Sequence, residues 1–124
     1  MMSARLIAKH NRTKPFKCVV DSGSGPCLFH ANLLQPLGLR LKDGIEDSIG
    51  GIGKPLTLPV FYHDIQVLIG IDWVIGVRAG FCEELAVAGI LGRVGFFDCF
   101  KATFDHSEHP PILEIQRIQH RVVQ

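Results

Sequence analysis

The sequence predicts a mainly β protein, an all-β barrel or sandwich with one or two short helices. Glycine (13 residues) and proline (7 residues) are scattered along the 124-residue chain, so few windows have room for a long helix. Between them lie short runs of β-branched and aromatic residues separated by turn-like segments, a pattern typical of barrels and sandwiches. A chain of this length, 47% hydrophobic, suffices for one core, so residues 1–124 are expected to form a single domain.

Each short apolar run is interpreted as a strand, and the polar pair His63-Asp64 as a tight hairpin between two of them. Two segments are candidates for short helices: residues 30–37, interrupted by Pro36, and residues 94–99. The expected strands cover residues 5–10, 16–20, 56–62, 65–71, 73–77, 85–91, 100–104 and 112–118.

Composition argues against several classes of partner. A formal net charge of +1 gives no electrostatic reason to expect nucleic acid or an anionic membrane surface as a partner. The four cysteines lack zinc-like spacing and are expected to be free thiols, and no metal or cofactor is predicted. The first residues lack the apolar segment of a secretory signal, and the most apolar run, 65–77, is too short to span a membrane. A soluble cytoplasmic protein is expected.

One short motif points to chemistry. Asp21-Ser22-Gly23-Ser24 follows the predicted strand 16–20, so the carboxylate is expected at a strand end. The small residues after it permit close approach of a ligand or another backbone. A strand-end turn with Asp and Gly is also a common structural feature, so this motif alone leaves both interpretations open.

Two further motifs follow in a fixed order. Ile49-Gly50-Gly51-Ile52-Gly53 is a glycine-dense stretch between strand-like residues, and Ile90-Leu91-Gly92-Arg93 ends a later apolar run. Together with Asp-Ser-Gly-Ser, these resemble the signature of retropepsins, the retroviral-type aspartic proteases. The sequence that follows Gly92-Arg93 is similar to that of the bacterial branch of the family. The resemblance covers about residues 5–118 and implies an acid-protease barrel and an aspartic endopeptidase activity.

The resemblance also implies roles for individual residues. Asp21 would be catalytic, Ser22 would brace the loops across a dimer, and Gly23 would offer its carbonyl to substrate. Ser24 would hydrogen-bond the carboxylate. The flap that closes over a bound polypeptide would consist of Gly50, Gly51, Ile52 and Gly53, and the structural pair after the later strand would be Gly92 and Arg93.

The chain contains the Asp-Ser-Gly motif once, whereas this chemistry needs two carboxylates close together. The second is therefore expected from another copy, in a symmetric homodimer with the site on its axis. Gly25 departs from the family, where many viral members have an acidic residue that pairs with the arginine of Gly-Arg. Two alternatives stay open: a catalytically silent dimerisation or peptide-binding module of the same fold, and a segment of a larger protein.

Overall fold

The protein is mainly β with few short helices, as the sequence predicts. A computed structural model describes residues 1–49, 58–105, 107 and 112–118, and this part of the chain contains ten strands. They are β1 (Met2–Ala8), β2 (Asn11–Arg12), β3 (Phe16–Val20), β4 (Leu28–His30), β5 (Ile45–Ile49), β6 (Leu58–Ile69), β7 (Trp73–Cys82), β8 (Gly89–Leu91), β9 (Phe100–Asp105) and β10 (Ile112–Arg117).

Six strands close into a barrel. The main sheet has the order β2-β1-β3-β8-β4-β7-β6-β5, and a further pairing of β1 with β6 closes it. That closing pairing is antiparallel and aligns Ala4 with Ile69 and Ile7 with Gln66. β9 and β10 form a separate two-stranded sheet. Closure satisfies the backbone groups that a flat sheet would leave open at its edges.

The core lies inside this barrel and is built by alternation. On β6, Ile65, Val67 and Ile69 are buried while Asp64 and Gln66 are exposed. This period of two places one face of each strand on the core. The largest fully buried side chains are Phe29, Phe81, Phe96 and Phe100. Burying one such ring contributes about 1.5–3 kcal/mol relative to leaving it in water.

The expected hairpin at His63-Asp64 is wrong, because β6 runs through both residues without a break. Both side chains have partners on the neighbouring strand β7. The His63 ring packs edge-on against Phe81, and Asp64 forms an ion pair with Arg78, the residue directly opposite it. The actual turn follows Ile69, at Gly70, whose φ of 64° is left-handed and favours glycine. Strand 85–91 is also shorter than expected, since only Gly89–Leu91 is extended.

The two predicted helical segments are short and irregular. Ala31–Leu37 is a 3-10 helix that includes Pro36, and the His30 ring accepts a hydrogen bond from the Asn32 backbone N–H at its start. Arg93–Phe97 is only partly helical, because the φ and ψ angles of two of its residues are not helical. His30 therefore has a structural role as the N-cap of the 3-10 helix Ala31–Leu37.

All four cysteines are free; Cys18, Cys27 and Cys82 are buried, and Cys99 is partly exposed. Among the residues described, none of the helices has the length and apolar character that crossing a membrane requires.

Candidate active site

The Asp-Ser-Gly-Ser motif lies in a loop that wraps over the end of one strand. β8 lies between β3 and β4, parallel to β3 and antiparallel to β4. The loop from residue 21 to 27 must therefore pass around the carboxyl end of β8 to reach β4. This topology brings the two separate motifs, Asp21-Ser22-Gly23-Ser24 and Leu91-Gly92-Arg93, into direct contact.

Asp21 is the first residue after β3 and is exposed to solvent. Its backbone N–H donates to the Leu91 carbonyl at 3.0 Å, which continues the pairing of β3 with β8 by one residue. The Gly23 backbone N–H donates to its carboxylate Oδ1 at 2.8 Å. The Ser24 N–H donates to the Asp21 carbonyl at 3.1 Å. Two of these bonds hold the backbone of the turn, and the bond from Gly23 orients an accessible carboxylate at the strand end.

Ser24 does not have the hydrogen bond expected of it. Its hydroxyl donates to the Pro26 carbonyl at 2.8 Å, so its single proton is not available to the Asp21 carboxylate. The expectation that Ser24 donates to this carboxylate is wrong for the single chain. The backbone of Gly23 makes that bond instead, because a turn only two residues long brings its N–H within reach.

Gly92 is glycine because the loop passes directly over it. A Cβ at this position would lie 2.3 Å from the Pro26 carbonyl oxygen and 2.8 Å from the Ser24 carbonyl oxygen. Arg93 and Val94 then donate backbone N–H groups to the carbonyls of Ser24 and Gly25, at 2.9 and 2.8 Å. The glycine-arginine motif thus supports the loop through the backbone.

The Arg93 side chain is exposed and extends beside Gly25. Its Nη2 lies 3.8 Å from the place where a Cβ of residue 25 would be. A carboxylate at position 25 would therefore be within reach of the guanidinium.

Sequence reasoning missed Cys27, a buried thiol beneath the loop. Its sulfur accepts the Gly92 N–H and donates to the Val94 carbonyl, both at 3.4 Å. Burial raises the pKa of this thiol, although hydrogen bonds from the Gly92 and Phe96 backbones act in the opposite direction. The neighbouring Cys18 thiol has its pKa raised to about 12, mainly by burial and then by Cys27. Nothing in the cysteine spacing indicates that the Cys27 thiol bonds to the backbone of Gly92 and Val94.

The expected flap, Gly50, Gly51, Ile52 and Gly53, lies outside the described residues. The strands on either side of it are antiparallel partners, and the last aligned pair is Ile49 with Leu58. The expected brace, Ser22, is exposed on the loop beside Asp21.

No family model, curated protein or solved structure matches this chain. The function of the loop is therefore inferred from its own residues and their contacts.

Proposed function

We propose that this chain is one half of an aspartic endopeptidase, which hydrolyses peptide bonds with a water held between two Asp21 carboxylates. The observation that carries the proposal is the setting of Asp21. It is exposed at the end of a barrel strand, and a backbone N–H orients its carboxylate. Residues 22–25, which follow it, are all small, so a second copy and a substrate backbone could approach closely.

The second carboxylate comes from a second copy of the chain. The sequence has one Asp-Ser-Gly motif, and a twofold axis beside the loop would bring the same motif from the partner opposite it. Ser22 is exposed next to Asp21, where it is available to the partner's loop. This arrangement makes dimerisation a condition for activity.

The chemistry follows from two carboxylates held close together. Both cannot be ionised comfortably at short distance, so the pair shares one proton and acts as a unit. The ionised member takes a proton from the bound water as the water attacks the peptide carbonyl. The protonated member hydrogen-bonds the oxygen that gains negative charge. As the C–N bond breaks, the proton that was taken from the water passes to the departing amine.

The substrate of this site is an extended polypeptide. Gly23 is exposed and lacks a side chain, so its carbonyl is accessible to a substrate N–H. By the resemblance, Gly50, Gly51, Ile52 and Gly53 would form a flap that binds the peptide as an added strand. Closure of the flap would exclude water other than the nucleophile.

Asp21→Asn tests the proposal most simply. Wild type, Asp21→Asn and a matched control, Asp72→Asn, are incubated with a mixture of unfolded polypeptides at acidic and neutral pH. Asp72 is exposed in the turn between β6 and β7. We expect cleavage by wild type and the control and none by Asp21→Asn, which should keep its fold. Equal cleavage by all three proteins would contradict the proposal.

The second candidate is a catalytically silent module that dimerises or binds peptides. It is favoured by two departures, the Ser24 hydroxyl on the Pro26 carbonyl and the glycine beside Arg93. If wild type and Asp21→Asn both dimerise and bind an unfolded polypeptide without cutting it, this candidate replaces the endopeptidase.

A further inference from the structure

The ribbon of β9 and β10 stands apart from the barrel. It packs on the rest of the chain through Phe100, which stacks on Phe96 and contacts Trp73, and through Ile115, which lies against the core. Just after β10, the Ile118 N–H donates a hydrogen bond to the Cys99 carbonyl at 2.9 Å, next to the start of β9. A two-stranded ribbon is marginally stable in water unless further strands or a packed face support it.

One edge of this ribbon is open. Within the described residues β9 pairs with β10 on one side and with no strand on the other. Lys101 and Thr103 are exposed, whereas Phe100 is buried and Ala102 is half-buried, so β9 has a solvent face and an inner face. An open strand edge is a template for pairing with another chain.

We infer that β9 pairs antiparallel with β9 of a second copy, about a twofold axis at Thr103, to give a four-stranded sheet. This inference rests on the proposed dimer and names the surface that forms it. Pairing centred on Thr103 places Lys101 opposite residue 105 of the second copy, an aspartate, and does so twice by symmetry. Opposite charges and a threonine pair are favourable cross-strand neighbours.

The sequence favours this register over its neighbours. A twofold axis normal to the sheet keeps each side chain on its own face of the sheet. Opposed residues must therefore be an even number of positions apart in sequence, so the axis passes through a residue and not between two residues. Centring on Ala102 would oppose Lys101 to Thr103, and centring on Phe104 would carry Lys101 beyond the paired region. Both leave the lysine without an opposite charge.

The other outer edge, that of β10, is less suitable for pairing with itself. Centring β10 on Ile115 opposes Glu114 to Gln116 and Leu113 to Arg117, which forms no charge pair. Centring it on Glu114 opposes two like charges, which is unfavourable.

The position of β9 in the chain connects this surface with the candidate active site. β9 follows the turn Arg93–Phe97, whose first backbone N–H supports Ser24 in the Asp21 loop. Phe96 of that turn is buried against Phe100 at the start of β9. An interface on β9 would therefore stabilise the element that holds the loop.

A cysteine on the axis tests the register. In Thr103→Cys, the two introduced thiols would face each other across the axis, within the range of disulfide geometry. We expect a covalent dimer after mild oxidation, reversed by reductant, at a yield well above that of wild type with its own four cysteines. Gln116→Cys is the matched control, on the same solvent face but on β10, and should stay at the wild-type level. Equal yields from the two variants would overturn the inference.

Charge reversal provides a second test that does not need oxidation. Lys101→Asp and Asp105→Lys should each weaken the dimer by about tenfold in Kd, measured by sedimentation, because two pairs become repulsive. The double variant should recover the wild-type Kd. Losses that simply add in the double variant would contradict pairing between these positions.

The two hypotheses fail separately. If Thr103→Cys cross-links but wild type cleaves nothing, the interface stands and the endopeptidase fails. If wild type cleaves and Thr103→Cys does not cross-link, the endopeptidase stands and the dimer forms through another surface.

Discussion

At the scale of single residues, the orientation of Asp21 depends on main-chain groups. Its carboxylate is held by the Gly23 N–H, and its own N–H is held by the Leu91 carbonyl. The sequence correctly predicted that Asp21 lies at the end of a strand. It could not predict which group donates to the carboxylate, because Ser24 and Gly23 are both close in sequence and only the conformation of the turn distinguishes them.

Ser24→Ala should lower stability without changing the pH dependence of activity. The substitution removes the hydrogen bond to the Pro26 carbonyl, which should cost about 1 kcal/mol in the free energy of unfolding. Urea denaturation measures this cost. Asp72→Asn, at an exposed position in the turn between β6 and β7, is the control and should change stability little. A shifted pH–rate profile with unchanged stability would indicate that the Ser24 hydroxyl donates to the Asp21 carboxylate and not to the Pro26 carbonyl.

Gly25→Asp should create an ion pair with Arg93. The guanidinium lies 3.8 Å from the position of the new Cβ, and apart from the chain neighbours no other described atom lies within 4 Å of that position. Since Arg93 is exposed, we expect a gain of only about 0.2–1 kcal/mol at neutral pH. The gain should disappear in high salt and below about pH 4, where the carboxyl group is protonated. Gly25→Asn is the uncharged control, and an equal gain from it would contradict the ion pair.

At the scale of elements, the site exists because β8 lies between β3 and β4. This arrangement forces the loop over Gly92 and joins two motifs that are far apart in sequence. The sequence indicated β3, β9 and β10 well, since each is a short run rich in apolar or β-branched residues. It missed β4 because Leu28–His30 is too short to show a period, and it divided β6 at His63-Asp64.

Gly92→Ala should disrupt the loop. The new Cβ would overlap the Pro26 carbonyl oxygen at 2.3 Å, so the loop must move, at a cost of about 1–3 kcal/mol or more. Gly76→Ala is the matched control, a strand glycine with no atom within 4 Å of its Cβ position, and should be neutral or slightly stabilising. Chemical denaturation of both variants checks this, and equal stabilities would contradict the close approach.

At the scale of the whole molecule, the mainly β, barrel-like fold was predicted correctly, but not which strands close the barrel. The pairing of β1 with β6 joins segments about sixty residues apart, and no local pattern specifies such a contact. The closed barrel buries Cys18 and Cys27 together beneath the loop, an arrangement that the cysteine spacing does not reveal.

The four thiols should react in an order set by the barrel. At pH 8, iodoacetamide should modify Cys99 first, because it is the partly exposed one. Cys18 and Cys27 should resist, since burial shields them and raises their pKa, which keeps them in the unreactive protonated form. Mass spectrometry of timed samples, with urea-unfolded protein as the control, measures the order. Early modification of Cys27 in the folded protein would contradict the packing beneath Gly92.

The central claim is that one active site takes an Asp21 from each of two copies, and mixing chains tests it directly. Wild type and Asp21→Asn are unfolded together in equal amounts, refolded, and assayed for peptide cleavage at constant total chain concentration. If both carboxylates are required, only wild-type homodimers cleave, and random pairing leaves about one quarter of the activity. Mixing with Asp72→Asn instead should preserve full activity. A residual activity of about one half would mean that each chain acts on its own, and would contradict the shared site.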